Sequence, residues 1–253
     1  IKSSAASDVY KRQELDVHTH TLASGHAYST LQEMAQAASG KGLKLLGITE
    51  HTPDSPGACH DFYFRNLHVV PRQMYGIELL LGAEINILDT WGSLSVNDDF
   101  MKKADLCIAS IHSFNYQGGS ADENTNGLLQ VIRNPYIHII GHPGDGTATL
   151  HFEPIVLAAK EHHTLLEINN SSLKPARNKP EAYQNSLTLL QLCKKYEVPV
   201  ILGSDAHISF DIARYDYVSE LLNQTDFPEG LIMNREVNTF KRYLGLQGNG
   251  NKR

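Results

Sequence analysis

The chain has 253 residues, 41% apolar and 20% charged, with a formal net charge of -6 when histidine is neutral. That acidic balance, with no basic stripe, argues against a nucleic-acid partner, and the lack of any run of about 18 apolar residues argues against a membrane span. The three cysteines, Cys59, Cys107 and Cys193, are scattered and read as reduced thiols of a cytoplasmic protein. Thirteen histidines is the unusual count, because imidazole is the commonest side-chain metal ligand.

Residues 1–13 are polar, lack the apolar stretch of a secretion signal, and read as a disordered or non-native lead. Leu15 to His18 predicts a first strand running into Asp16-Val17-His18-Thr19-His20. Alternation along a strand would put Asp16, His18 and His20 on one face, with Asp16 free to hydrogen-bond an imidazole. Thr30-Leu31-Gln32-Glu33 has the spacing of a capping box. Leu31, Met34, Ala35 and Ala38 then share a helical face that Gly40 and Gly42 close.

Leu43 to Thr49 predicts the second strand, stopping at Glu50-His51. A long loop follows, with Pro53, Pro56, Gly57, His60 and His68; its Phe62, Tyr63 and Phe64 either cover a pocket or anchor the loop. The third strand lies within Ile77 to Leu88, interrupted by Gly82, with Glu84 on the face of Leu80 and Gly82. A short helix over Asn97 to Lys103 precedes the fourth strand, Leu106 to Ile111, which ends at His112. Cys107 on that strand reads as packing.

Glu123 to Arg133 predicts a helix closed by Asn134-Pro135, and Ile137 to Gly141 a fifth strand ending at His142-Pro143-Gly144. Strand parity places His138 deeper than His142, in a hydrogen-bonded core role. Glu153 to His162 predicts a helix with Pro154 in its first turn, and His162-His163 reads as a solvated helix end. Thr164 to Ile168 is the sixth strand, followed by Asn169-Asn170-Ser171-Ser172. A helix over Pro180 to Tyr196 leads to the seventh strand, Val198 to Gly203, which ends at Ser204-Asp205-Ala206-His207. Phe210 to Leu222 and Glu236 to Leu244 predict closing helices before a polar tail, residues 247–253.

Strands alternate with helices, and most strands are too apolar to be half-exposed, which predicts a parallel sheet clad by helices. Seven such units without a linker favour one closed or nearly closed barrel over residues 14–246. In such barrels the chemistry gathers at the C-terminal strand ends. The candidate ligands stand there; a flat doubly wound sheet would spread them along an edge.

Taken in order, His18-Thr19-His20, His26, Thr49-Glu50-His51, Glu84, His112, His142-Pro143-Gly144 and Gly203-Ser204-Asp205-Ala206-His207 resemble the PHP (polymerase and histidinol phosphatase) family of metalloenzymes. The likeness is greatest to its small, stand-alone YcdX-like phosphatase branch. His26-Ala27-Tyr28-Ser29-Thr30-Leu31 and Glu167-Ile168-Asn169-Asn170-Ser171-Ser172 extend it, so that it covers about Leu15 to Leu244. The resemblance implies a distorted (β/α)7 barrel of the PHP type holding three divalent metal ions, zinc first, with manganese or iron as alternatives. By motif order, His18, His20, Glu84 and Asp205 would hold the first ion. Glu84 would bridge to a second, completed by His112 and His142, and His26, His51 and His207 would hold a third. Glu50 departs from the aspartate frequent in the family, which touches only the groups behind the ligands; Gly141 before His142 is another local variation.

Two carboxylates and seven neutral imidazoles would leave three divalent ions with surplus positive charge. That suits a phosphate dianion even in an acidic protein, because the local field decides. Metal-bound water ionises near pH ~7, and paired ions about 3.5–4 Å apart can hold nucleophile and phosphoryl oxygens in line. The expected reaction is hydrolysis of small phosphomonoesters by a metal-bridging hydroxide. Glu84, Asp205 and His207 are its expected catalytic residues; His207, if unligated, or a metal-bound water would protonate the leaving alkoxide. Arg177 and Arg72 are the expected contacts to a small phosphorylated substrate. Alternatives are phosphodiester cleavage of the PHP type, an amidohydrolase, which lacks a convincing bridging lysine here, and a non-catalytic metal-binding protein. The branch also implies self-association as a trimer, for which the sequence shows no interface signature.

Overall fold

A computed structural model describes residues 13–246. The expected polar tail and nearly all of the expected lead therefore lie outside the described residues. The strands are β1 (Leu15–Asp16), β2 (Leu45–His51), β3 (Gln73–Met74), β4 (Ile77–Ile87), β5 (Cys107–Ile111), β6 (Ile139–Gly141), β7 (Leu165–Asn169) and β8 (Val200–Gly203). They form one sheet in the order β1-β2-β4-β5-β6-β7-β8, parallel throughout, with β3 antiparallel on β4. The helices are α1 (Leu31–Gly40), α2 (Asp61–Arg65), α3 (Asp98–Met101), α4 (Ala121–Ile132), α5 (Phe152–His162), α6 (Ala182–Tyr196), α7 (Asp216–Thr225) and α8 (Val237–Tyr243).

The sheet curls until β1 meets β8, giving the expected distorted (β/α)7 barrel. The seam has no regular ladder. Near the C-terminal end Thr19 bridges Ala206, and the His20 amide donates to the Ala206 carbonyl at 2.9 Å. Lower down, the fully buried Asn234 replaces the ladder with its side chain. Its amide nitrogen donates to the carbonyls of Leu15 (3.2 Å) and Leu202 (2.8 Å), and its oxygen accepts from Leu202 N (2.7 Å).

The barrel interior is apolar at the N-terminal end. Leu15, Val17, Leu45, Leu80, Ile139 and Leu165 cluster there, closed below by Met233 and Phe240. Register then fixes where polarity begins. Glu84, Ile108, Ile139 and Leu165 are lateral neighbours across β4 to β7, and one layer up Asn86, Ser110 and Gly141 lie side by side. Laterally paired residues face the same side of a sheet, so the interior turns polar toward the strand ends.

Several local expectations are corrected. Asp16 does not join His18. The β1 ladder ends at Asp16, Leu15 and Val17 face the interior, and Asp16 turns to the seam, accepting from Ser204 Oγ and from Ala213 N at 2.8 Å. Gly82 does not interrupt β4: a Cβ there would lie 1.9 Å from the Leu106 carbonyl oxygen, so glycine permits the close approach of the chain entering β5. The helix expected from Phe210 begins only at Asp216, because Asp16 claims the Ala213 amide and Ala213 sits at φ 50°, outside helical backbone. The helix expected from Glu123 starts at Ala121, where Ser120 and Glu123 form a capping box. The Thr30–Glu33 capping box is present as expected. Cys107 is buried packing, and among the described residues no helix is long and apolar enough to cross a membrane.

His138 takes a hydrogen-bonded structural role: its Nδ1 accepts the Cys107 amide at 3.0 Å. Burial pushes its pKa down from 6.5 to about 4, against the backbone hydrogen bond. The unfolded chain therefore binds the extra proton first. Stability is complete above about pH 6.5 and falls as pH drops toward 4, by up to about 3 kcal/mol. His138→Gln, which still offers an acceptor, should remove this part of the acid sensitivity. Urea unfolding of the chelated proteins at pH 7 and 4.5 checks it; parallel losses in both would contradict the assignment.

Candidate metal centre

The strand ends bring the candidate ligands to one cavity. His18 and His20 follow β1, His51 ends β2, Glu84 lies in β4, His112 and His142 follow β5 and β6, and Asp205 and His207 follow β8. His26 comes from the loop after β1. Glu84, 1% exposed, is the hub. Its carboxylate lies 2.9 Å from His51 Nδ1, 3.0 Å from His142 Nε2, 3.4 Å from the Nε2 atoms of His18 and His112, and 3.5 Å from His20 Nε2. Asp205 Oδ1 stands 3.5 Å from His20 Nε2 and 3.9 Å from His18 Nε2. His26 and His207 face each other with Nε2 atoms 2.9 Å apart.

Behind the rings, acceptors fix the tautomers. His18 Nδ1 donates to Glu167 Oε1 at 2.7 Å and His112 Nδ1 to Asn86 Oδ1 at 2.6 Å. His26 Nδ1 donates to the Ser24 carbonyl and His207 Nδ1 to that of Asp205, each at 3.0 Å. His20 Nδ1 donates to Ser24 Oγ at 3.0 Å, and that hydroxyl donates to Glu50 at 2.6 Å. His142 Nδ1 lies 3.3 Å from Asp145. An acceptor at Nδ1 leaves the Nε2 lone pair free for a cation. His51 is reversed and turns Nδ1 inward.

The fit to metal follows from atoms that protein alone leaves without a partner. Buried and unbonded are His18 Nε2, His20 Nε2, His51 Nδ1 and Glu84 Oε2. Leaving such atoms unsatisfied costs about 1–3 kcal/mol each, and a cation among them would satisfy them together. The ligand atoms of His18, His20 and Asp205 lie within 4.8 Å of one another, as do those of His51, Glu84 and His112, and of His20, His51 and His207. His26 adds its ring 4.6 Å from that of His207 and 5.0 Å from that of His51.

Charge coupling is strong. Burial raises the Glu84 and Asp205 pKa values, yet the surrounding imidazoles hold both carboxyls well below the usual range. Burial also opposes charge on His18 and His142. Glu167 and Glu84 nonetheless lift His18 well above 6.5, and Asp145 and Glu84 lift His142 to about 10. Burial and repulsion from His51 and His207 push His20 well down. Backbone strain coincides with the site: Asp205 at φ 50° and His142 at φ 31° hold left-handed conformations. Such positions cost about 1–3 kcal/mol and cluster where geometry is functional.

The cavity is small, about 130 Å³. Besides the ligand residues it is lined by Ser171, Ser172, Arg177 and Lys179 from the segment after β7, and by Phe114. Arg177 donates through Nε and Nη2 to Ser171 Oγ at 3.2 and 2.9 Å. Lys179 pairs with Asp145. Phe114 stacks on His112 at 5.2 Å and 11° and remains 49% exposed.

Arg72 is corrected. It does not line the cavity but sits before β3 at the N-terminal side of β4. There its guanidinium binds Asp105 at 2.7 Å and the carbonyls of Leu67 and Val70 at 2.9 Å, which makes it a structural tie. Two of the aromatic loop residues anchor, Tyr63 donating to Glu50 and Phe64 packing against Phe100 with the rings tilted by 60°, whereas Phe62 is exposed. His60 caps α2, accepting the Phe62 amide.

Sequence reasoning gave no role to Glu167, Asn86, Ser24, Asp145 or Lys179. Two carried a signal. Asn86 is two residues beyond Glu84 on the same strand face, and Glu167 is a lone charge within an apolar strand. The others sit in loops, where spacing says nothing about contacts.

A family model described as PHP domain matches residues 16–235. A protein of Clostridium novyi named as a probable phosphatase is 46% identical over 234 residues, 92% of this chain and 95% of its own. One of Caldicellulosiruptor bescii with the same name is 43% identical over 235 residues, 93% and 97% of the two chains. Among solved structures, the histidinol phosphate phosphatase of Lactococcus lactis, complexed with zinc, L-histidinol and phosphate, superposes with a TM-score of 0.56 at 20% identity, covering 85% of this chain and 95% of that one. A chain in the cryo-EM structure of archaeal ribonuclease P with mature tRNA gives 0.61 at 13% identity, covering 94% and 95%. At these identities the structural likeness speaks to the fold.

Proposed function

The chain belongs to the PHP domain family, and on that premise we propose that it is a metal-dependent phosphatase hydrolysing small phosphomonoesters at a trinuclear centre. The observation that carries the reading is the set of buried, unpartnered ligand atoms around Glu84, next to a cavity that Arg177, Lys179, Ser171 and Ser172 also line. His18, His20, Glu84 and Asp205 would hold one ion, Glu84, His112 and His142 a second, and His26, His51 and His207 a third. Zinc comes first because the Lactococcus lactis enzyme was solved with it; the same donors suit manganese and iron. When bound, divalent ions would supply Lewis acidity and a water that ionises near pH ~7.

The chain's own residues do the rest. Glu84 and Asp205, ionised and fixed by the imidazoles, keep the donor set in place. Arg177 lines the same cavity as the ligands and binds phosphoryl oxygens through N–H groups not used on Ser171. The leaving alkoxide takes its proton from a water in the cavity, because His207, with Nδ1 donating to the Asp205 carbonyl, offers only a lone pair at Nε2. About 130 Å³ admits a phosphoryl group and leaves the organic part at the mouth, against the exposed face of Phe114. That favours a small ester over a strand. Free Cys59, Cys107 and Cys193 fit a cytoplasmic setting. Assembly as a trimer is part of the same reading, and light scattering on the purified protein tests it.

The deciding experiment compares p-nitrophenyl phosphate with bis-p-nitrophenyl phosphate, before chelation, after it, and after metal return. Metal-dependent turnover of the monoester is expected. A metal-loaded protein that cleaves only the diester, or neither, sinks the proposal. Arg177→Met should lower kcat/KM by about 10–100-fold, the worth of one or two charge-assisted hydrogen bonds, with metal content unchanged.

A further inference from the structure

Glu167 belongs to none of the three ligand sets, yet it is 2% exposed and reaches two of them. Its Oε1 accepts His18 Nδ1 at 2.7 Å; its Oε2 accepts the backbone amide of His142 at 2.8 Å and Asn169 Nδ2 at 3.1 Å. One carboxylate thus orients a ring that follows β1 and secures a left-handed turn that follows β6. We infer that Glu167 is a positioning residue that sets His18 and His142 together, tying the first candidate ion to the second while leaving the third independent. The inference rests on the proposed metal centre.

Two features of the sequence become intelligible on this reading. Every partner of Glu167 is an N–H donor, so the position requires an acceptor at both oxygens; a glutamine would turn an NH2 group toward one of those donors. Gly203 provides the room. A Cβ at that position would stand 1.7 Å from Glu167 Oε1, so the glycine that opens Gly203-Ser204-Asp205-Ala206-His207 is where the neighbouring strand's carboxylate lies. Glycine is not needed there for backbone reasons, because its φ lies outside the left-handed range. His26, His51 and His207 have no contact with Glu167; their outer partners are Ser24 and Asp205.

The test is Zn²⁺ binding by chelated wild type, Glu167→Gln and Gly203→Ala, measured by competition with a chromogenic chelator, with melting of the chelated proteins as the fold control. Wild type should take up three ions. Glu167→Gln should bind two of them about 10–100-fold more weakly and the remaining one as wild type does. Gly203→Ala should reproduce that pattern although it removes no charge, and it carries the test should Glu167→Gln not fold. Wild-type binding in both variants would overturn the inference, as would equal weakening at every site alongside a lowered melting temperature. A wild-type protein that binds Zn²⁺ but hydrolyses no phosphomonoester would overturn the proposed function alone. One that binds no Zn²⁺ would overturn both.

Discussion

Glu84→Ala is expected to abolish phosphatase activity and to strip the centre of at least two ions. Five imidazole nitrogens lie within 3.5 Å of this carboxylate, so its loss removes a ligand from two proposed sites together. The effect should exceed the roughly 10–100-fold typical for a group that merely supports a ligand. The chelated variant should also be less stable. His18 and His142 owe their raised pKa values partly to Glu84, and a buried charge that loses its partner costs roughly 3–5 kcal/mol. Glu84→Gln, which keeps the volume, separates charge from packing. Elemental analysis, the monoester assay and urea unfolding read the three consequences. Full metal content and full turnover in Glu84→Ala would end the assignment of Glu84 as the bridge.

Metal removal is the second large effect, and it carries a sign. Chelation should abolish turnover and lower the melting temperature, and metal return should restore both. An ion present at a thousandfold excess over its Kd contributes about 4 kcal/mol to the folded state. Without metal, His142 titrates at about 10 and so holds its proton at pH 7.5, and the carboxylates of Glu167 and Glu84 shift His18 in the same direction against the effect of burial. Zn²⁺ needs neutral imidazoles and must expel the protons they hold. Uptake should therefore acidify a weakly buffered solution, and affinity should weaken as pH falls. Calorimetry in two buffers of different ionisation enthalpy measures the count. Uptake without proton release at pH 7.5 would mean that His18 and His142 are already neutral before the metal arrives.

The parallel barrel was legible because most of its strands are apolar on both faces and all but the one running into Asn169 carry or lead into a candidate ligand. The candidate ligands were legible for the same reason: strand ends converge in such a fold, so position along the chain translates into position in space. Where the translation failed, a competing bond was the cause. Asp16 obeys the seam, where Ser204 and Ala213 claim its carboxylate, rather than strand parity. Arg72 satisfies two carbonyls and Asp105 at the far end of β4, and nothing in its spacing distinguishes that duty from substrate binding. The groups behind the ligands were mostly illegible because contacts such as Ser24 to Glu50 and His142 to Asp145 depend on how loops fold over the rim.

The seam between β1 and β8 joins the first strand to the last. His18 and His20 stand on its early side, Asp205 and His207 on its late side, and Asn234 fastens it from below. A nascent chain that has not yet made Asp205 already carries most of the donors, but its first site lacks an anionic ligand and its open edge has no partner strand. Tight metal capture at the proposed first site would therefore become available only after the last strand has been made. Occupancy of the proposed centre would report that the last strand has arrived, and bound ions would act as a clasp across the long span from His18 to Asp205.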